Sequence, residues 1–387
     1  MTSRPERGPV PDVPRLDDGA VTLRALRTSD IDAIVRHGAD PLMQEWTRVP
    51  LDYTRRDAQD FLTHVAEGWR QGSEYGWAIE TEGRLAGTLD LRPQGQGLAE
   101  IGYAGAAWAR GRSVVTRAVR LAVAWGFESC GFEVVRWQAQ VGNWASRRVA
   151  WATGFRFEGT VTALLEHRGR RVDGWIGSLR RGEAMQPLNR WWEPVDLAGR
   201  RVRLRAPRAD DVPRLVEACR DERTQRWLPL VPNPYAADDA HRHQARFRER
   251  AALGEAVHWT VAGPDADEFL GEVAVFTHPG EPSSGEVGYL AHPDARGQGV
   301  ITEGARLAVR HALIPAEDGG LGLDRVLLRA AVGNEASHGV ARRLGFARAG
   351  VDRLGSRLRD GTLLDDVRYD LTVQDLGALL DDPADGA

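Results

Sequence analysis

Two stretches of this chain repeat each other: E-I-G-Y-A-G-A-A-W-A-R-G-R-S-V-V-T-R-A-V-R-L-A-V from Glu100 and E-V-G-Y-L-A-H-P-D-A-R-G-Q-G-V-I-T-E-G-A-R-L-A-V from Glu286. Each is followed by a second echo, V-G-N-W-A-S-R-R-V-A-W-A-T-G-F from Val141 and V-G-N-E-A-S-H-G-V-A-R-R-L-G-F from Val332. Upstream, V-T-L-R at Val21 matches V-R-L-R at Val202, and Trp46 and Trp77 match Trp227 and Trp259; downstream, residues 168–179 pair with 360–371. The offset between the copies is 181 at Val21 and Val202 and 192 at Arg168 and Asp360, so the insertions fall in loops. That interval is far too long for a solenoid unit and suits two whole domains. Domains are expected over residues 19–180 and 197–375, with a linker at 181–196, a disordered tail at 1–18 and a second tail at 376–387, all polar or rich in Pro, Gly and Asp.

A hydrophobic content of 42% lets each copy bury a core. No apolar run approaches the ~20 residues that span a bilayer, and the first residues lack the apolar stretch of a signal peptide. The expectation is a soluble, cytoplasmic protein with no membrane partner. Cys130 and Cys219 sit at unmatched positions, which predicts neither a disulfide framework nor a metal site. A net charge of −4 with mixed signs offers no basic face for nucleic acid.

Within each copy the pattern predicts an opening strand, a helix after Ser29 or Asp211, and a second helix over residues 54–69 or 236–252. Alternating strands follow at 77–80 and 85–91, or 258–261 and 269–276. The E-x-G-Y strand then runs through a Gly-bearing turn into a helix of period 3.6, followed by a strand, a helix after Asn143 or Asn334, and a terminal hairpin. The predicted fold class is α/β, an α+β mixed sheet built around a central β-α-β and present twice.

Chemistry concentrates at the strand-turn-helix junction. In Arg296-Gly297-Gln298-Gly299-Val300-Ile301-Thr302 the glycines let the backbone approach a ligand, and the N–H groups that open the helix form an anion site suited to a pyrophosphate. Taken alone, the same residues also read as a plain helix entry.

These motifs resemble the GCN5-related N-acetyltransferase (GNAT) family, whose acyl-CoA signature is Arg/Gln-x-x-Gly-x-Gly/Ala. Arg296 and Gly299 match it, and Ile301 replaces the usual small last residue. The surrounding P-D-A-R-G-Q-G, the N-x-x-S of Asn334 and Ser337, the L-G-F at 344–346 and a late Asp are similar to the ribosomal-protein-alanine N-acetyltransferase branch. The resemblance implies two tandem GNAT-type acyl-CoA N-acyltransferase domains. It further implies acetyl transfer from acetyl-CoA to a primary amine by direct attack, without a metal, in the C-terminal half. Acetyl-CoA or another acyl-CoA would lie on the backbone of Tyr289, Leu290 and Ala291 and on the loop of Arg296, Gly297, Gln298, Gly299, Val300, Ile301 and Thr302, with Asn334 beside the pantetheine or capping a helix.

Many members of the family use a Tyr seven residues after that Asn as the acid, and here those slots hold Ala150 and Ala341. Ser337, with its twin Ser146, is then the candidate for serving the departing thiol, or else only a residue at a helix start. Glu286, twin of Glu100, is the candidate base because it shares the strand face with Gly288; Asp365, Asp366, His258 and His292 are weaker candidates, and a water relay needs none of them. All 51 basic residues are arginine, which base-composition bias explains and which also spares an acyl-transfer enzyme from acylating itself.

The copies are not equivalent. Ser113 stands where the other copy has Gly299, and Arg117 replaces Glu303. A Cβ there crowds a phosphate or strains the turn, which implies weaker or different CoA binding in the first half; the alternative is that Ser is simply a small tolerated residue and that the added arginines help to hold phosphate. Nine of the 13 tryptophans lie in that half, where core packing or an acceptor pocket would use them. Residues 44–53 and 225–235, mixing Trp, Pro and Tyr, are the candidate acceptor segments. The acceptor would be an amine on a protein N-terminus, a peptide or a small molecule, and a homodimer is among the assemblies considered. Activity in both halves, or acyl-CoA binding without catalysis, are the alternative readings.

Overall fold

Every sheet neighbour in each half is antiparallel except one, and that exception creates the cleft. The computed structural model describes residues 12–278 and 280–377; the outer parts of the two expected tails, 1–11 and 378–387, lie outside the described residues. The chain divides into two compact units between Leu188 and Asn189. In spatial order the first unit's sheet runs Leu16–Asp17, Thr22–Arg24, Tyr75–Thr81, Arg84–Gly95, Leu98–Gly105, Val134–Gln140, Arg170–Arg180, Arg156–His167. The second unit repeats that order with Leu197–Ala198, Arg203–Arg205, Ala256–Ala262, Phe269–His278, Glu281–Ala291, Arg325–Ala331, Leu363–Thr372 and Ala347–Arg357. Both are mixed α/β sheets, as the residue pattern predicts.

The parallel pair exists because a helix, Val114–Ser129 or Val300–Leu313, carries the chain across the sheet, a connection that a hairpin cannot make. The helices lie on the sheet through small residues such as Ala305, Ala308 and Ala312, each fully buried, which brings them close. The parallel pairing is short. In the second unit it holds only Ser284 to Arg325, Gly285 to Val326 and Glu286 to Leu327. Residues 287–291 remain paired on their other edge with Phe269–His278, so the two central strands splay and leave backbone groups along a wedge.

The V-x-L-R of each opening strand has its own explanation. Arg24 donates to both oxygens of Asp30 at 2.7 and 2.9 Å, and Arg205 does the same to Asp211 at 2.9 and 2.7 Å, in buried forks that fix each first helix. Tryptophan mostly fills the first core: Trp77, Trp137 and Trp175 are buried, and Trp69, Trp77 and Trp125 pack edge to face or tilted.

Three readings of the chain change. Residues 12–18, expected in a disordered tail, carry the strand Leu16–Asp17 and receive the Trp77 indole N–H on Pro14 O at 3.1 Å. Residues 189–196 of the expected linker are packed into the second unit, where Trp192 is buried and donates its N–H to Ala251 O at 2.9 Å. The candidate acceptor segments are partly helical, since Asp40 and Asp221 cap the short helices Pro41–Trp46 and Glu222–Trp227. Long-range packing decides the first two, and a local aspartate cap decides the third.

Candidate active site

The helix Val300–Leu313 begins at Gly299, whose φ of +78° is left-handed. A chain that turns this sharply into a helix leaves its first N–H groups, those of Val300, Ile301 and Thr302, facing outward. The loop is held from behind, so those amides stay available. Arg296 pairs with Asp221 and donates to Thr224 Oγ1 at 3.0 Å, Gln298 Nε2 donates to Asp294 O at 2.6 Å, and Arg201 donates to Gln298 O at 3.2 Å. The Arg296 guanidinium holds the Asp221 carboxyl below the usual range. The motif arginine therefore serves the loop as a brace.

The other loop takes the same path with a different residue. Ser113 sits at φ +56° and ψ 12°, against +78° and −1° for Gly299. A side chain in the left-handed region costs on the order of 1 kcal/mol, so the strain expected from the sequence is realised. The turn's neighbours are also occupied: Arg84 and Arg112 lie over the Trp108 ring at 4.2 and 5.7 Å, and Arg112 pairs with Glu82.

One cleft of about 1340 Å³ in the second unit is lined by Glu286, Tyr289, Leu290, Ala291, residues 296–302, Asn334 and Ser337. The residues singled out from sequence thus meet around the splayed strands. Arg200, Arg201, Arg306 and Arg343 line the same cleft beside the loop. By strand and helix register, the first unit places Gly19, Ala20, Arg120 and Ala152 there. Its own cavity, about 880 Å³, is lined by Glu100, Tyr103, Asn143 and Ser146 but not by residues 110–117. The first cavity thus keeps the counterparts of Glu286, Tyr289, Asn334 and Ser337 and does not reach its Ser113 turn.

Asn334 caps the helix Glu335–Arg343 by accepting from Ser337 N at 3.3 Å. Ser337 lies beside the Tyr289 hydroxyl, a buried group that makes no hydrogen bond here, and burial pushes that phenol up to about 12, so it stays protonated. In the first unit the twin pair is locked: Ser146 Oγ contacts Tyr103 Oη at 3.2 Å, Tyr103 donates to Ser146 O at 2.9 Å, and the Trp137 indole donates to Ser146 Oγ at 3.0 Å. Leu328 replaces that indole in the second unit.

Glu286 is not a solitary carboxylate. Arg329 forks onto it at 3.1 and 2.8 Å, and His278 Nε2 lies 3.2 Å away. Asp366, buried at 6% exposure, also lines the cleft and accepts from Ser356 at 2.6 Å. The other candidates are engaged elsewhere: Asp365 accepts from Leu354 N at 2.8 Å, His292 lies between Glu217 and Arg214, and His258 stacks on Phe247. Sequence reading missed Arg329, Arg200, Arg201 and Arg343. The doubled arginine in the turn before V-R-L-R was its only signal, and nothing local ties that turn to the loop.

A model of the acetyltransferase (GNAT) domain matches residues 20–156 and again 201–347. The Bacillus subtilis protein YdaF, whose assignment as a ribosomal N-acetyltransferase is itself provisional, is 29% identical over 178 residues, covering 45% of this chain and 89% of that protein. Among solved structures, Mycobacterium smegmatis RimJ in complex with CoA-disulfide is 21% identical at a TM-score of 0.40, over 42% of this chain and 85% of its own. An acetyltransferase of the GNAT family from Bacillus anthracis is 16% identical at 0.39, over 46% and 99%. No helix among the described residues is long and apolar enough to cross a membrane.

Proposed function

The chain belongs to the acetyltransferase (GNAT) domain family, once in each half, and is an N-acetyltransferase; from that premise we propose that its second unit alone carries out the reaction, with acetyl-CoA as donor and a primary amine as acceptor. One observation carries the reading. The second cleft joins the Gly299 loop to the splayed strand, Ser337 and Glu286, whereas the first cavity stops short of its loop.

The pyrophosphate would rest on the amides of residues 299–302, with the arginines of the turn and of the following helix neutralising phosphate charge. The pantetheine would follow the open edge of residues 287–291, whose amides are oriented to polarise the thioester carbonyl. Attack forms the N–C bond and breaks C–S. The ammonium proton leaves toward Glu286 or through water, and Ser337, backed by the Tyr289 hydroxyl, donates to the departing sulfur. Trp227, Leu228, Arg223 and Arg226 line the cleft and would frame the acceptor, which is the amine of a protein N-terminus, a peptide or a small molecule. We place the enzyme in the cytoplasm; a homodimer would leave this assignment of roles unchanged.

A thiol-release screen of several acyl-CoAs against a panel of amines, run on the intact chain and on Gly299→Asp, tests the reading. Release that disappears in the variant is expected. Undiminished release in Gly299→Asp would place the chemistry in the first unit.

A further inference from the structure

His243 on the helix Ala237–Ala252, His258 on the strand Ala256–Ala262 and Glu272 on the strand Phe269–His278 converge on one point behind the catalytic strand. Strand register explains two of them, because Thr260 lies opposite Glu272 and Ala274 opposite His258, which puts both side chains on one sheet face beneath the helix. Glu272 Oε2 lies 2.9 Å from His243 Nε2 and 3.3 Å from His258 Nε2. The potential ligand atoms all fall within 4.8 Å of one another.

The cluster is short of partners. His258 and Glu272 are 5% and 4% exposed, yet neither ring nitrogen of His258 nor Oε1 of Glu272 has a hydrogen bond. Buried polar atoms left in that state are costly, even though Oε2 of the same carboxylate faces both imidazoles. Bond lengths of about 2.0–2.1 Å around a tetrahedral metal ion place ligand atoms roughly 3.3 Å apart, close to the two spacings that join Glu272 to the histidines. Phe247, stacked on His258 at 4.1 Å and edge-on to His243 at 4.9 Å, supplies an apolar wall. His243 is 31% exposed along its side chain, so water can complete the coordination. The equivalent positions in the first unit hold Phe61, Gly76 and Thr88, which cannot bind a metal.

We propose that His243, His258 and Glu272 bind one divalent transition-metal ion of the zinc class through two imidazoles and a carboxylate. Cysteine spacing gave no hint of it, and the expectation of a metal-free chain rested on the two unmatched cysteines and on a family chemistry that needs no metal at the reacting centre. The ion pins the helix Ala237–Ala252 to the sheet. Glu272 pairs in register with Leu290, so the pinned strand is the neighbour of the one that would flank the thioester. The site lies outside the cleft and takes no part in acyl transfer.

The test uses the full chain, dialysed against EDTA and titrated with cobalt(II) chloride, then zinc sulfate. One Co²⁺ per chain is expected, with the visible absorption of a low-coordinate site, displaced by Zn²⁺. Glu272→Gln and His258→Asn should each weaken binding by roughly 10²-fold or more. His243→Gln, at a half-buried position, repeats the test if either core variant fails to fold. Gly299→Asp, which disables the proposed CoA loop, should bind the metal normally, so failure of this inference and failure of the functional reading are separable. Absence of stoichiometric binding of either ion, or binding unchanged in Glu272→Gln and His243→Gln, overturns the proposal and leaves a buried His-Glu-His cluster without a metal.

Discussion

Ser113 holds, at φ +56°, the same left-handed turn position that Gly299 holds at φ +78°. Two copies of one loop thus keep a common backbone path, and only one keeps it without a Cβ. The arginines beside Gly299 on the turn and on the Glu335–Arg343 helix have no counterpart beside Ser113, where Gly19, Ala20 and Ala152 stand. The missing glycine and the missing turn and helix arginines are independent differences that both disfavour phosphate, and Arg117, which replaces Glu303, is already paired with Asp18.

Calorimetry with CoA is therefore expected to give one tight site per chain. Gly299→Asp places a carboxylate against the pyrophosphate and abolishes that site, whereas Ser113→Asp leaves it intact. Ser113→Gly relieves strain but adds no phosphate partner, so the stoichiometry stays at one. Two equal sites in the unaltered chain would contradict the assignment.

Arg201→Ala and Arg343→Ala should each raise the KM for acetyl-CoA about tenfold, the equivalent of one charge-assisted contact worth about 1.4 kcal/mol. Turnover at saturation should hardly change, because the phosphates are bound alike in ground and transition states. A fall in kcat without a change in KM would remove these residues from phosphate binding.

Ser337→Ala is expected to lower turnover by roughly 10²–10⁴, as for a positioned proton donor, with acetyl-CoA affinity nearly unchanged. Tyr289→Phe should cost less, since the phenol acts through the serine. Ser146→Ala should have no effect on turnover. Asn334→Ala should act mainly on CoA affinity and on the helix that it caps. Near-normal turnover of Ser337→Ala under saturation would return the residue to a role in the helix start.

Glu286→Gln should reduce turnover most at low pH, where the amine is protonated and needs a base, and the defect should shrink as pH rises. Because Arg329 forks onto this carboxylate, a pH-independent defect is the signature of lost positioning. The pH profile of kcat/KM for the two proteins decides between these outcomes.

Stability of the second unit should carry an acid-sensitive part. Hydrogen bonds from Arg203, then Arg205 and Arg208, hold the Asp267 carboxyl far below its usual range. A depressed folded-state pKa contributes stability that is fully present above the unfolded value, about 3.9, begins to shrink below it and is lost only as pH falls through the far lower folded value. Asp267→Asn should lower stability by about 1–3 kcal/mol at pH 7, and denaturant melts should show the difference beginning to shrink below about pH 4 and fading toward about pH 2. A penalty that stayed constant down to that pH would mean the loss is steric.

The sequence by itself determined the duplication, the order of elements, the loop that opens the Val300–Leu313 helix and the inequality of the two loops. These features rest on local backbone requirements: a left-handed position is written as glycine, a helix face as a period of 3.6, an N-cap as asparagine. A repeated copy doubles each signal. It also placed Ser337 and Glu286 beside the loop, because they lie on elements that flank it directly. Tertiary structure alone decided the rest. The splay of the parallel pair after Glu286, the fork of Arg329, the meeting of Tyr289 with Ser337 and the approach of Arg201 to Gln298 join positions up to about a hundred residues apart. So does the convergence of His243, His258 and Glu272. Such pairings depend on which strand edges are left open and which side chains share a buried face, and a one-dimensional pattern carries neither until the sheet has formed.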